Sequence, residues 1–319
     1  MSENIVMSNK LLDTERIAAN ITKQASKQTY TTIKYLVDVG QKPDAYRAYA
    51  YFRWVDDQLD QNDTTHVNRL VFLERQKSLI DCSLWGVQPC AQTPEEQILV
   101  DLLRGEHKSD SGLLAYVRNM MAVMTFDVYR RDQFITQAEL DNYELLLATA
   151  VTEAMHHFIG HNQYSPHDET RYLAPIAAHI THMLRDTFED IEIGYYNVPR
   201  ELLAAHDISP SDVAHEAYRN WVKGRVDLAR HYFDLGRDYL LQVENGRCRL
   251  AGYAYIARFE GVLDTIEQDG YLLKPDYASS KKLPAAMQAS WSTISSAFQR
   301  RQFNTIQTQN HLSADPTDF

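Results

Sequence analysis

Apolar residues recur at three- and four-residue steps along most of this 319-residue chain, and those steps define a succession of amphipathic helices. A first helix is expected over about residues 11–39, closed near Gly40 and Pro43, with residues 1–10 frayed. Asp44 caps the next, which runs to about Asn62 and Asp63. Further helices are expected over 70–84, 94–103 and 113–131. The last of these carries Met120, Met121, Met124, Phe126 and Tyr129, a stripe that reads as core. Thr136 and Glu139 form a capping box that opens a helix reaching about Gly160. Helices over 170–193, 211–243 and 249–269 follow, the first ended by Gly194 and Pro199. A last helix is expected over 284–304, with a disordered terminus. No Ser/Gly run or charge block interrupts residues 20–305, so one all-α domain is the expectation.

Composition narrows the function. The chain is 44% hydrophobic, enough for a sizeable core. A net charge of −11 argues against a nucleic-acid partner, which needs a basic footprint. Cys82, Cys90 and Cys248 form no metal-like spacing and no even framework, which fits a reducing cytoplasm. No signal pattern opens the chain and no apolar run is long enough to span a bilayer. Transient contact with a membrane surface stays open, as does the oligomeric state.

Two stretches carry candidate chemistry. In YRAYAYFRWVDDQLDQ (46–61), Tyr46, Tyr49, Arg53, Asp56 or Asp57, and Asp60 fall along one side of a helix. In HITHMLRDTFEDIEIGYYNVP (179–199), Asp186, Glu189 and Asp190 follow Arg185 at the same spacing. Carboxylates one turn apart repel by a few tenths of a kcal/mol on an exposed helix and by far more when buried. Hard divalent cations with oxygen ligands relieve that repulsion. Two such faces suggest helices that clamp metal ions around a phosphorylated ligand.

The first stretch resembles the YxxYAFxRxxDDxxD motif of the squalene and phytoene synthases, the head-to-head branch of the trans-isoprenyl diphosphate synthases. The second is similar to that family's QLTNxLRDxxEDxxxGxxYLP motif. SKQTY (26–30), ELDNYELLLATAV (139–151) and FEGVLDTIEQDGYL (259–272) resemble further family elements, so the likeness runs from about Ser26 to Tyr271. The resemblance implies an isoprenoid-synthase helical bundle around a central hydrophobic cavity. That domain would span 21–275, between a flexible lead-in at 1–20 and a C-terminal helix and polar tail at 276–319.

It also implies an activity, the head-to-head condensation of two farnesyl or geranylgeranyl diphosphates with Mg²⁺ or Mn²⁺ as cofactor. Use of NADPH is left open. By position, Asp56, Asp60, Asp186 and Asp190 would be metal ligands, with Asp57 and Glu189 beside them. Arg53 and Arg185 would contact phosphate, and Tyr49 and Tyr143 would line the reacting pocket. Ser26, Lys27, Tyr46, His182 and Phe259 would bind substrate, and the Met-rich stripe would line the prenyl tunnel.

Several positions depart from the family. Its Gln and Asn ahead of LRD are His179 and His182, and its glycine before them is Pro175. Two motif glycines are Thr149 and Thr152, which narrow the pocket or make it more polar. A tyrosine of the last helix is Phe259, and the arginine beyond Gly270 falls on Asp276–Tyr277. These departures keep two other readings in play: cyclisation of one prenyl diphosphate, and a non-catalytic assembly factor. A zinc or iron site is a third, because six of twelve histidines (156, 157, 161, 167, 179 and 182) lie within 156–182 and Glu153 with His156 makes an ExxH pair.

Overall fold

The computed structural model describes residues 2–61, 64–87, 91–104, 111–160, 163–275 and 277, with side chains from residue 13 onward. Within the described residues, the helices expected from the pattern are present, with informative differences at their ends. The first is two helices, α1 (Ser2–Ala25) and α2 (Lys27–Leu36). α1 reaches back through the residues expected to fray. The break falls at Ser26, whose extended backbone ends α1 and whose hydroxyl caps α2 by accepting from the Thr29 amide at 3.1 Å.

α3 (Lys42–Leu59) begins one residue before Pro43, which occupies its first turn. A proline tolerated there because it lacks an N–H starts this helix and does not merely end the one before. Asp44 therefore sits inside the first turn and pairs with Arg47 at 2.8 Å; it is not the cap. α4 (His66–Leu84), capped by Thr65, starts earlier than expected. α5 (Pro94–Leu102) and α6 (Gly112–Arg130) follow the pattern. α7 (Gln137–Phe158) opens on the full Thr136–Glu139 capping box. α8 (Leu173–Glu192), α9 (Arg200–His206), α10 (Glu216–Gln242) and α11 (Gly246–Gln268) complete the described part. The helix expected over 284–304 and the terminus lie outside the described residues.

Packing neighbours close into a ring, α2–α3–α6–α7–α8–α11 and back to α2. α3 and α8, which carry the acidic motifs, are three steps apart either way round. One small device ties their neighbourhoods together. β1 (Gln133–Phe134) pairs in parallel with β2 (Tyr195–Tyr196), joining the chain just after α6 to the chain just after α8. Gly194 makes the approach possible. Its φ of +88° suits glycine, and a Cβ there would lie 2.2 Å from Asp132 Oδ1. No described helix is long and apolar enough to cross a membrane.

α10 backs α8 from outside this ring, and the two meet at Gly236, where an added Cβ would stand 2.5 Å from that of Ala174. Gly236→Ala is expected to lower stability by about 1–3 kcal/mol through overpacking, read from urea denaturation.

Candidate active site

The acidic motifs sit at the C-terminal ends of their helices. On α3, Asp56 accepts from Arg53 Nη1 at 3.3 Å, and Asp60 closes the helix. Asp60 Oδ1 accepts from the Tyr195 hydroxyl at 3.2 Å and lies 3.7 Å from Arg131. On α8, Arg185 clasps both oxygens of Asp186 at 2.6 and 2.5 Å, and His182 Nε2 lies 3.0 Å from the same carboxylate. Asp190 Oδ2 accepts from Asn197 Nδ2 at 2.7 Å. Its other oxygen accepts nothing from the described residues.

Between the ladders stands a largely buried pair outside both acidic motifs, Asp127 and Arg130 at the end of α6. Arg130 Nε donates to Asp127 Oδ1 at 2.6 Å, and the Tyr143 hydroxyl donates to Asp127 Oδ2 at 3.1 Å. Arg130 Nη1 also donates to Asn197 Oδ1 at 2.6 Å, and Asn197 in turn holds Asp190. The Arg130 guanidinium lies 4.4 Å from the Tyr143 ring centroid and 4.7 Å from that of Tyr195, the residue bound to Asp60. Both ladders thus connect to one cation. Asp127 escaped the sequence reading because it lies inside an apolar stripe, one residue from Phe126. Its phase with Arg130, at i and i+3, was the available signal.

Electrostatics follow the geometry. Burial, then the Asp60 carboxylate, push Asp56 up to about 7. Its side chain keeps 37% of its surface accessible, so solvent softens that shift. Burial, then Asp186, likewise push Asp190 up to about 7, against the pull of Arg130. Asp127 raises both, which places it within electrostatic reach of each ladder. Asp186 behaves oppositely: burial raises it, but hydrogen bonds from Arg185 and then His182 hold it well below the usual carboxylate range.

The other expected residues divide. Tyr49 gathers with Ser26, Thr29 and Arg53; burial raises its phenol, and the Arg53 charge and then the Ser26 and Thr29 hydroxyls draw it back. Lys27 is exposed on the first turn of α2. Tyr46 is buried against Tyr30, ring centroids 5.4 Å apart, with its hydroxyl on the Tyr30 carbonyl. Asp57 pairs with Arg53 and lines a cleft of about 360 Å³ with Ile21, Trp54 and Glu95, on the α1 and α5 side. Glu189 is exposed. Phe259 is buried, 6.1 Å from the His182 ring. Met121 and Met124 are core, whereas Tyr129 is 58% exposed and leaves the expected stripe because α6 ends one residue later.

The departures have structural counterparts. His179 is buried 5.2 Å from the Tyr143 ring, and neither of its ring nitrogens has a partner. The Thr152 hydroxyl is buried without one as well. The ExxH pair does not converge on an ion. Glu153 is held by Arg171 at 2.7 and 3.1 Å and by Tyr172 at 3.0 Å, while His156 bonds the Tyr239 hydroxyl at 2.8 Å. His161 lies outside the described residues. Among the described residues, no three His, Cys, Asp or Glu side chains stand close enough to hold one ion unaided.

Two outcomes are expected. Arg130→Met leaves Asp127 buried without its cation and should cost about 3–5 kcal/mol in urea denaturation. Adding Asp127→Asn should recover part of that loss. The second outcome concerns pH. A carboxyl whose pKa is higher in the folded than in the unfolded state binds extra protons when folded, so its contribution to stability falls as pH rises from about 4 to about 7. Asp56→Asn and Asp190→Asn should therefore stabilise the metal-free protein at pH 8 relative to pH 5, seen as a flatter dependence of melting temperature on pH.

Comparison with known proteins shows the family and the fold. The family model for squalene/phytoene synthase matches residues 22–287. The chain is 26% identical over 234 residues to a 15-cis-phytoene synthase of Synechocystis sp., covering 63% of this chain and 67% of that one. Its fold is similar to that of the squalene synthase HpnC from Alicyclobacillus acidocaldarius, with a TM-score of 0.65 at 20% identity over 83% of this chain and 97% of that one. A dehydrosqualene synthase crystallised with a ligand gives a TM-score of 0.66 at 14% identity, over 92% and 99% of the two chains. With the motifs at 46–61 and 179–199 lying inside the matched span, this chain belongs to the squalene/phytoene synthase family.

Proposed function

We propose that the protein couples two allylic prenyl diphosphates head-to-head with loss of diphosphate, using Mg²⁺ or Mn²⁺. The observation that carries this reading is the meeting of two acidic helix ends, each with its own arginine, on the buried Asp127–Arg130 pair. The family's relatives include proteins named phytoene and squalene synthases, which supports the coupling chemistry.

The donor set fits a hard divalent cation. It is all carboxylate oxygen, and Asp190 keeps one oxygen free. Asp56 and Asp190 carry repulsion that a cation would relieve. Mg²⁺ usually takes only a few protein carboxylates and completes its shell with water and phosphate oxygens, which is compatible with a site where, among the described residues, no three side chains stand close enough to hold an ion unaided. Asp56 and Asp60 on α3 and Asp186 and Asp190 on α8 would hold such ions, which when bound supply Lewis-acid neutralisation of the departing diphosphate.

The chain's own groups do the rest. Arg53 and Arg185, now clasping Asp56, Asp57 and Asp186, exchange those carboxylates for phosphate oxygens, which they bind in the same forked geometry. Ser26, Thr29 and Tyr49 offer hydroxyls beside Arg53. Tyr143 keeps its phenolic proton, since burial and then Asp127 raise it well above its ordinary value, and it directs that proton to Asp127. Apolar walls keep water from the allylic cation that ionisation leaves behind.

Asp56→Asn and Asp186→Asn are each expected to cut turnover at least about a hundredfold while the protein remains folded by circular dichroism. Full activity in either variant, or after exhaustive chelation, would remove the metal-clamp reading. Incubation with farnesyl or geranylgeranyl diphosphate and Mg²⁺, followed by mass spectrometry of the organic extract, should give a product with twice the carbon number. A product with the same number would mean cyclisation or elimination of a single substrate.

A further inference from the structure

α11 turns a largely apolar side inward, with Gly252, Ile256, Phe259, Val262, Leu263 and Ile266 all buried. Arg258 shares the phase of Tyr255 and Val262, three residues before it and four after, so an arginine occupies the margin of this inward side. It is only partly exposed. Its guanidinium lies 5.4 Å from the Phe259 ring centroid and makes no hydrogen bond or ion pair with any described residue.

The other arginines of α10 and α11 behave differently. Arg219 donates to the Gly270 carbonyl, Arg225 pairs with Glu144, and Arg230 and Arg237 pair with acids of α11. Arg247 holds Asp38 and the Leu36 carbonyl, and Arg249 the Val243 carbonyl. Arg258 alone among them has five N–H donors and nothing to receive them. A partly buried cation without a partner is costly unless a ligand completes it.

Its surroundings indicate which ligand. Phe259 borders both Arg258 and His182, and His182 and Arg185 together occupy Asp186. Through Phe259, the neighbourhood therefore holds Arg258 together with an imidazole that shares one already engaged carboxylate with Arg185. Burial, then the charge of Arg185, lower the proton affinity of Arg258, as expected when two cations stand close. Such a cluster suits an anion with several oxygens.

We propose that Arg258 binds substrate directly, donating with Arg185 to a diphosphate on the α8–α11 side of the bundle. This rests on the prenyl diphosphate reading given above. The test compares Arg258→Gln and Arg258→Lys with the unmodified protein. Binding of inorganic pyrophosphate with Mg²⁺ is followed by calorimetry, alongside KM and kcat for the prenyl diphosphate.

Arg258→Gln should weaken pyrophosphate and raise KM about tenfold or more, the size of a lost charged hydrogen bond, with kcat within about threefold. Melting temperature should not fall, since no hydrogen bond or ion pair with a described residue is lost, only the contact with the Phe259 ring, and a partly buried charge is removed. Arg258→Lys should keep part of the affinity, as a point charge without the fork. If the unmodified protein binds pyrophosphate and Arg258→Gln binds it equally well, this inference is overturned and the reading of the site stands. If the unmodified protein does not bind pyrophosphate, both fall.

Discussion

Carboxylates gathered at the ends of two helices repel one another, and the bundle can hold them only if something positive is fixed between them. Here that is Arg130. It bonds Asp127 on one side and Asn197 on the other, and it lies against the rings of Tyr143 and Tyr195. Through these contacts it reaches Asp190 on α8 and Asp60 on α3. The rest of the site is arranged around that cation. A guanidinium is buried where the fields of the ladders overlap, and the ladders stay partly unneutralised because Arg53, Arg130, Arg131 and Arg185 are fewer than the carboxylates around them.

The two ladders are not equivalent. Asp186 is engaged on both oxygens by Arg185 and His182, whereas Asp190 has one oxygen free and Asp56 has a single long contact from Arg53. Asp56 and Asp190 therefore present ready acceptors and Asp186 a closed one. If Arg185 takes phosphate as proposed, that exchange is what frees its neighbour. His182 adds to the hold on Asp186, a consequence of carrying an imidazole one turn before it.

Much of this was legible in the chain itself. The acidic faces, their arginines and the capping box at Thr136 and Glu139 depend on spacings of three and four residues, which helices preserve. The connecting cation was not legible, because its partners are far apart in sequence. Asn197 lies 67 positions from Arg130, and Tyr195 lies 135 from Asp60. Both come within reach only when two-residue strands pair after α6 and α8, too short a pairing to leave a periodic trace. The split at Ser26 was hidden for a different reason: apolar phase continues through it, and only the serine's capping geometry interrupts the helix.

The ring of Tyr143 carries a last implication. An aromatic face attracts positive charge through its quadrupole, and a guanidinium already rests on this one at 4.4 Å, with Phe126 and His179 crowding its remaining flanks. A hydrocarbon bearing a positive centre would find that surface occupied and faintly repellent. On the proposed chemistry, cushioning of such a centre would fall to rings elsewhere, and the phenol would contribute through its oxygen rather than its π cloud.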